Sequence, residues 1–317
     1  MSAPKEHHFW NAARAGDLSV VQTLTADPTL DVNWHTPSGF TSFNTACFGG
    51  HISVVEFLLK LRRVDVNQPM NQGATPFFIA SEKGHKEVVS LLLADKKVNV
   101  NRTNHYGASP FYIACDEGHK EMVVLLLADE RIDVNRPENE GATPFYVACE
   151  RGFASVVQLL LKSPRVNVTE IRAQDGASGF SQACQGGHYE VVKLLLEDWR
   201  ICTTSMETNT GCTPLWNAAH FGELRIVEQL LASEREIDTT TRSIEGDEAW
   251  NGITPGEIAG SGDYNHDVFD DSEAETISNK RQRNGRFIQQ LIDAHELDSR
   301  GVSHQLREKT EHRGQMK

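Results

Sequence analysis

The chain has 317 residues, 39% of them hydrophobic and 24% charged, a composition of folded globular proteins that excludes disorder throughout. Its longest apolar runs, such as 122–128, fall far short of the roughly 18 residues a membrane-crossing helix needs. A net charge of −13 argues against a phosphate-binding surface, hence against nucleic acid, and for a protein partner with a basic or mixed-charge segment.

The first ten residues lack the apolar centre of a secretory signal. The six cysteines show no disulfide framework, which points to reduced thiols. A cytoplasmic location is expected, with the nucleus also open to the chain. Residues 9–33 then hold Ala12-Ala13 and Val20-Val21 but no proline-led helix start, as a capping repeat would. From there a period takes over. Gly39, Gly73, Gly107 and Gly141 stand 34 apart, and Gly176 and Gly211 follow at intervals of 35. Asn33, Asn67, Asn101 and Asn135 keep the same beat.

Inside each period, Thr75, Ser109, Thr143 and Thr213 are hydroxyl residues placed to cap a helix. A proline follows at the first helical position, where its missing N–H costs nothing. Ala80, Ala114, Ala148, Ala183 and Ala218 are small where helices must approach, and Gly84, Gly118, Gly152, Gly187 and Gly222 end the helix. Val-Val-x-Leu-Leu-Leu runs, as at 88–93, predict a second helix too apolar for solvent. Asp-Val-Asn before each new period predicts an extended hairpin finger. The sixth repeat departs from this, with Ser178-Gly179 in place of Thr-Pro and Cys202-Thr203-Thr204 in place of Asp-Val-Asn. It is expected to open first, over 170–205. An eighth repeat starts at Gly252 with Thr254-Pro255 and Ala259, but its second helix is delayed to 286–294 by a polar insertion at 261–285. Residues 295–317 are expected to form a polar mobile tail.

The stretches Gly-Ala-Thr-Pro-Phe-Phe-Ile-Ala (73–80), Gly-Ala-Ser-Pro-Phe-Tyr-Ile-Ala (107–114), Gly-Ala-Thr-Pro-Phe-Tyr-Val-Ala (141–148) and Gly-Cys-Thr-Pro-Leu-Trp-Asn-Ala (211–218) resemble the ankyrin Gly-x-Thr-Pro-Leu-His-x-Ala signature. With the Gly-His turns they extend the resemblance over about 8–260. It implies an all-α repeat solenoid of stacked helix pairs with short hairpin fingers, about eight repeats over 1–294. It also implies a non-enzymatic interaction module, an adaptor, scaffold or inhibitor, binding its partner on a concave surface of hairpin tips and first helices. The matching positions here are Asn71, Gln72, Glu82, Lys83, His105, Tyr106, Asp116, Glu117, Asn139, Glu140, Glu150, Arg151, Gln174, Asp175, Gln185, His220 and Phe221. Tyr106, Phe221 and Trp250 are the expected energetic anchors. Asn33, Asn67, Asn101 and Asn135 resemble asparagines that asparaginyl hydroxylases modify in such proteins.

Rival chemistry is poorly supported. Cys47/His51, Cys115/His119 and Cys184/His188 have metal-ligand residue types. Zinc needs four ligands within about 2.3 Å, whereas helices of adjacent repeats pack about 8–10 Å apart, so these are expected to be buried thiols and turn-bracing histidines. Asp263-x-Asn265-x-Asp267 opens like a calcium loop but has Val268 where glycine is needed and Ala274 where the bidentate glutamate belongs. Lys280, Arg281, Arg283 and Arg286 form a short basic cluster with docking or nuclear-import character. Phe78, Tyr112, Tyr146 and Trp216 stand at the signature histidine and are assigned to packing between repeats. No cofactor, no metal and a monomeric chain are expected. The insertion and tail are the only territory left for an enzyme, and they are too short to enclose a pocket alone.

Overall fold

The computed structural model describes residues 4–243, 253–261, 285 and 288–297. They fold as helix pairs in chain order: α1 (Pro4–Ala15) with α2 (Leu18–Thr25), α3 (Ser42–Phe48) with α4 (Ile52–Lys60), α5 (Pro76–Glu82) with α6 (Lys86–Ala94) and α7 (Pro110–Asp116) with α8 (Lys120–Leu127). Then come α9 (Pro144–Glu150) with α10 (Ala154–Lys162), α11 (Gly179–Gln185) with α12 (Tyr189–Leu196), α13 (Pro214–His220) with α14 (Leu224–Leu231), and α15 (Pro255–Ser261). Residues 288–297 are also helical. Among the described residues there are no strands, only isolated bridges within two fingers, His35 with Thr41 and Ile171 with Ser178. The fold is the expected all-α repeat solenoid. It forms two compact units, residues 1–148 with 155–167 and residues 149–154 with 168–317.

In the first unit the capping logic holds. Thr75 Oγ1 accepts from Phe78 N at 3.2 Å, Ser109 Oγ from Tyr112 N at 3.0 Å and Thr143 Oγ1 from Tyr146 N at 3.1 Å. Each satisfies one of the orphan amides of a helix start, worth about 1 kcal/mol. Gly84 ends α5 at φ 70°, a left-handed conformation that disfavours any side chain. A Cβ there would also stand 3.2 Å from the His119 ring. Phe77, Phe111, Leu92 and Leu126 are fully buried, with Ala80 and Ala114 where the first helices meet.

Three ladders join successive repeats of this unit. His51, His85 and His119 each point Nε2 at a carbonyl of the repeat before, Arg14 O at 2.9 Å, Phe48 O at 2.8 Å and Glu82 O at 2.7 Å. A carbonyl only accepts, so Nε2 carries the proton. These histidines were expected to brace turns; the turn each one braces belongs to the repeat before, so they also tie successive repeats together. The asparagines form a second ladder. Asn101 Nδ2 donates to Arg131 O at 2.7 Å and its Oδ1 accepts from Asp133 N at 2.9 Å. Asn33, Asn67 and Asn135 repeat both bonds. Arginines make the third. Arg165 donates to the carbonyls of Leu127, Asp129, Glu130 and Ile132, while Arg63 and Arg131 reach the same region one repeat back. The guanidinium thus supplies donors to the orphan carbonyls that end a second helix.

In the second unit Ser178 Oγ still accepts from Ser181 N at 3.1 Å, so α11 keeps its cap and loses only the proline that would fix its start. Helix α13 packs against α15, and Ile258, Ala259, Ile288 and Ile292 are buried. The last helix runs to Leu297, so residues 295–297, assigned above to the tail, belong to it. The Asp263, Asn265 and Asp267 pattern, the basic cluster at Lys280, Arg281, Arg283 and Arg286, and Trp250 lie outside the described residues.

Candidate partner-binding surface

Each finger folds into a turn whose tip precedes a first helix, and successive fingers of the first unit are bonded to one another. Asn71 Nδ2 donates to Pro37 O at 2.7 Å and Asn139 Nδ2 to His105 O at 2.9 Å. Both were expected to meet a partner. The amide nitrogens hold fingers together instead, because a tip without strand neighbours must find acceptors for its donors locally. Gln72, His105, Tyr106 and Glu140 remain exposed beside them, with Tyr106 at 66%. On the opposite rim, at the ends of the first helices, Lys83 Nζ pairs with Glu82 at 3.2 Å. Asp116 is half-buried and Glu117 exposed.

Between the rims lies a hollow of about 330 Å³ lined by Phe40, Phe48, Met70, Gln72, Ala74, Phe78, Ile79, Glu82, Asn104, Tyr106 and Ile113. Gln72, Glu82 and Tyr106 were expected here. The apolar residues were not, yet the repeat itself marks them. Phe40 stands where later repeats have Ala74, Ala108, Ala142 and Ala177, and Phe48 where they have Glu82, Asp116, Glu150 and Gln185. Met70 stands where Thr36, Asn104 and Glu138 accept hydrogen bonds from their own finger amides; a thioether is too weak an acceptor to replace them. Phe40 and Phe48 meet edge to face with centroids 6.2 Å apart, and Lys83 Nζ sits 5.2 Å above the Phe48 ring. Phe48 is 46% exposed.

The second unit's expected positions are more occupied. Glu150 O accepts from His188 Nε2 at 2.7 Å. Arg151 and Gln174 are exposed and Gln185 is half-buried. Asp175 pairs with Arg172. Burial opposes its charge, but hydrogen bonds from Arg172 and the Ala177 N–H outweigh that and hold its pKa below the usual carboxylate value. His220 stacks on Trp216 at 4.9 Å and meets Phe221 edge-on at 4.8 Å, while Trp216 Nε1 donates to Ile253 O at 3.0 Å. Phe221, expected as a free anchor, is half-buried within this aromatic cluster.

Burial works against nucleophilic chemistry at four of the six cysteines. Cys47, Cys149 and Cys184 are free, and burial pushes their thiols far up; Cys212 is pushed up to about 11. Among the described residues no three His, Cys, Asp or Glu side chains cluster to hold a metal ion. No helix among them is long and apolar enough to cross a membrane.

The family model described as ankyrin repeats in three copies matches residues 9–104, 96–170 and 166–243. The chain belongs to the ankyrin-repeat family. No curated protein matches it. Ankyrin repeats are in general protein–protein interaction modules and typically non-catalytic.

Proposed function

We propose that this ankyrin protein is a non-enzymatic adaptor, scaffold or inhibitor, and that a partner segment docks on the fingertip face of its first compact unit. The observation that supports this reading most is the conversion of three positions, polar or small in the neighbouring repeats of the first unit, to Phe40, Phe48 and Met70 around one hollow. Phe40 and Met70 pack half-buried against the core cluster of Ala74, Phe78, Ile79 and Ala108 and carry that apolar surface out to the hollow, where Phe48 is 46% exposed and departs from the polar residues of its counterparts without serving the core. Exposed aromatic rings in a concave setting are costly to leave in water and supply much of the energy in interfaces. Asparaginyl modification is a poorer reading, since Asn33, Asn67, Asn101 and Asn135 each use both side-chain polar atoms in a rung that must first break.

Affinity purification with the wild-type chain and a Phe48→Ala/Tyr106→Ala variant of equal melting temperature tests the proposal. A stoichiometric partner lost from the variant is expected. A partner retained in full by the variant would place the interaction elsewhere.

A further inference from the structure

The hollow and its surroundings differ in chemistry along the direction in which the repeats succeed one another. Phe40, Phe48 and Met70 make its early end apolar. One repeat on, the same register carries acid. Gln72 and Tyr106 on the finger rim are followed by Glu140, and Lys83 on the helix rim is followed by Glu117. Both glutamates are exposed. Glu140 is held beside Tyr106 by its neighbour, since Asn139 N donates to Tyr106 O at 2.9 Å. Lys83, one of the cations at this register, is paired with Glu82 and lies over Phe48, at the apolar end of the hollow.

We infer that the occupant is an extended peptide segment whose large apolar side chain fills the hollow and whose lysine or arginine lies between Glu117 and Glu140. The inference rests on the docking reading above and adds the chemistry of the partner. A volume of about 330 Å³ is at the small end for drug-sized ligands, and one Leu, Met or Phe side chain with part of its backbone suits it. The spacing follows from geometry. Neighbouring helices pack about 8–10 Å apart and an extended chain covers roughly 3.3–3.6 Å per residue, which sets the basic residue about three positions from the apolar one. Burial of the apolar side chain supplies affinity, and the charge pair fixes direction and speeds encounter.

Panning a randomised phage-displayed peptide library against the whole chain, with fluorescence titration of the enriched synthetic peptides, tests this. The expected peptides share an apolar residue and a Lys or Arg about three positions away. Phe48→Ala weakens them about tenfold or more, as loss of an interface anchor does. Glu117→Gln/Glu140→Gln weakens them about threefold and flattens their salt dependence. Peptides that need Phe48 but carry no basic residue would overturn the inference while leaving the docking reading intact. If no enriched peptide responds to either Phe48→Ala or Tyr106→Ala, both fall.

Discussion

The two compact units differ in how their buried departures from the repeat are satisfied. In the first, Phe40, Phe48 and Met70 lie around an open hollow, and the three ladders run on except at Lys97, but Asn44 and Thr45, at the positions of Phe78 and Ile79, are buried with side-chain polar atoms that have no hydrogen-bond partner among the described residues. In the second, the internal departures are hydrogen-bonded. Ser181 stands where Phe78, Tyr112 and Tyr146 stand, and Asn217 where Ile79, Ile113 and Val147 stand. They form a polar cluster with Glu207: Ser181 Oγ donates to Glu207 Oε1 at 2.9 Å, and Asn217 Nδ2 donates to Ser181 Oγ and Glu207 Oε1, each at 2.8 Å. Phe153 and Glu223 replace the turn histidine, Thr204 stands at the asparagine position, and Thr203, at the position of Val134, donates Oγ1 to Glu236 O at 2.7 Å. Interior departures exchange apolar packing for polar networks, complete around Glu207 in the second unit and short of partners at Asn44 and Thr45 in the first.

The largest expected effect breaks that internal network. Asn217→Leu leaves the Ser181 hydroxyl and the Glu207 carboxylate short of a donor inside the fold. It is expected to destabilise the second unit by about 2 kcal/mol, read as a lowered denaturation midpoint. A change within error would show that the cluster is incidental. Next, the bonds between repeats can be weighed against one another. Asn101→Ala removes two hydrogen bonds and is expected to cost about 1–2 kcal/mol, against about 0.5–1 kcal/mol for Thr203→Val. Equal losses in chemical denaturation would mean that the asparagine ladder is not what separates the units.

A smaller effect has the opposite sign. Lys97 stands where Arg63, Arg131, Arg165, Arg200 and Arg235 recur, and Lys97→Arg is expected to add about 0.5 kcal/mol by restoring donors to the carbonyls one repeat back. A thermal melt that does not rise would deny the arginine ladder a role in stability. Acid shifts the comparison least, because both units share the response. Hydrogen bonds from Thr29 and Lys5 lower Asp27 to about 2, and those from Arg131 and Arg200 hold Asp129 and Asp198 below the ordinary carboxylate value. Carboxylates depressed in the folded state contribute stability above their unfolded pKa and lose it as pH falls through the folded one. Both units should therefore weaken together below about pH 4, and a second unit that alone unfolds there would contradict this.

Much of the fold was legible because its signals are local. Thr75 before Pro76, Gly84 before His85 and the Val-Val-x-Leu-Leu-Leu runs each specify a cap, a stop or a buried face within a few residues. The candidate site was only half legible. Gln72, Glu82 and Tyr106 follow from the family's usual surface, whereas Phe40, Phe48, Met70 and Ile113 sit at unlike positions of different repeats and converge only once the repeats are stacked. Asn71, Asn139 and Phe221 were expected to meet a partner on the same family surface, which says nothing of the bonds and ring contacts that side chains there make with one another. Their partners, Pro37, His105 and the Trp216–His220 stack, lie some 34 residues away or around a helix turn. The arginine ladder was visible as a recurrence but had no meaning until the carbonyls it caps were in place.

Amide hydrogen exchange on the free chain tests most directly whether the two units differ. Residues 40–48 and 70–82, which carry the altered surface, should exchange as slowly as 107–116, and residues 170–205 should open first. Exchange at 40–48 and 70–82 as fast as at 170–205 would mean that Phe40, Phe48 and Met70 are defects in the array, not the lining of a binding site.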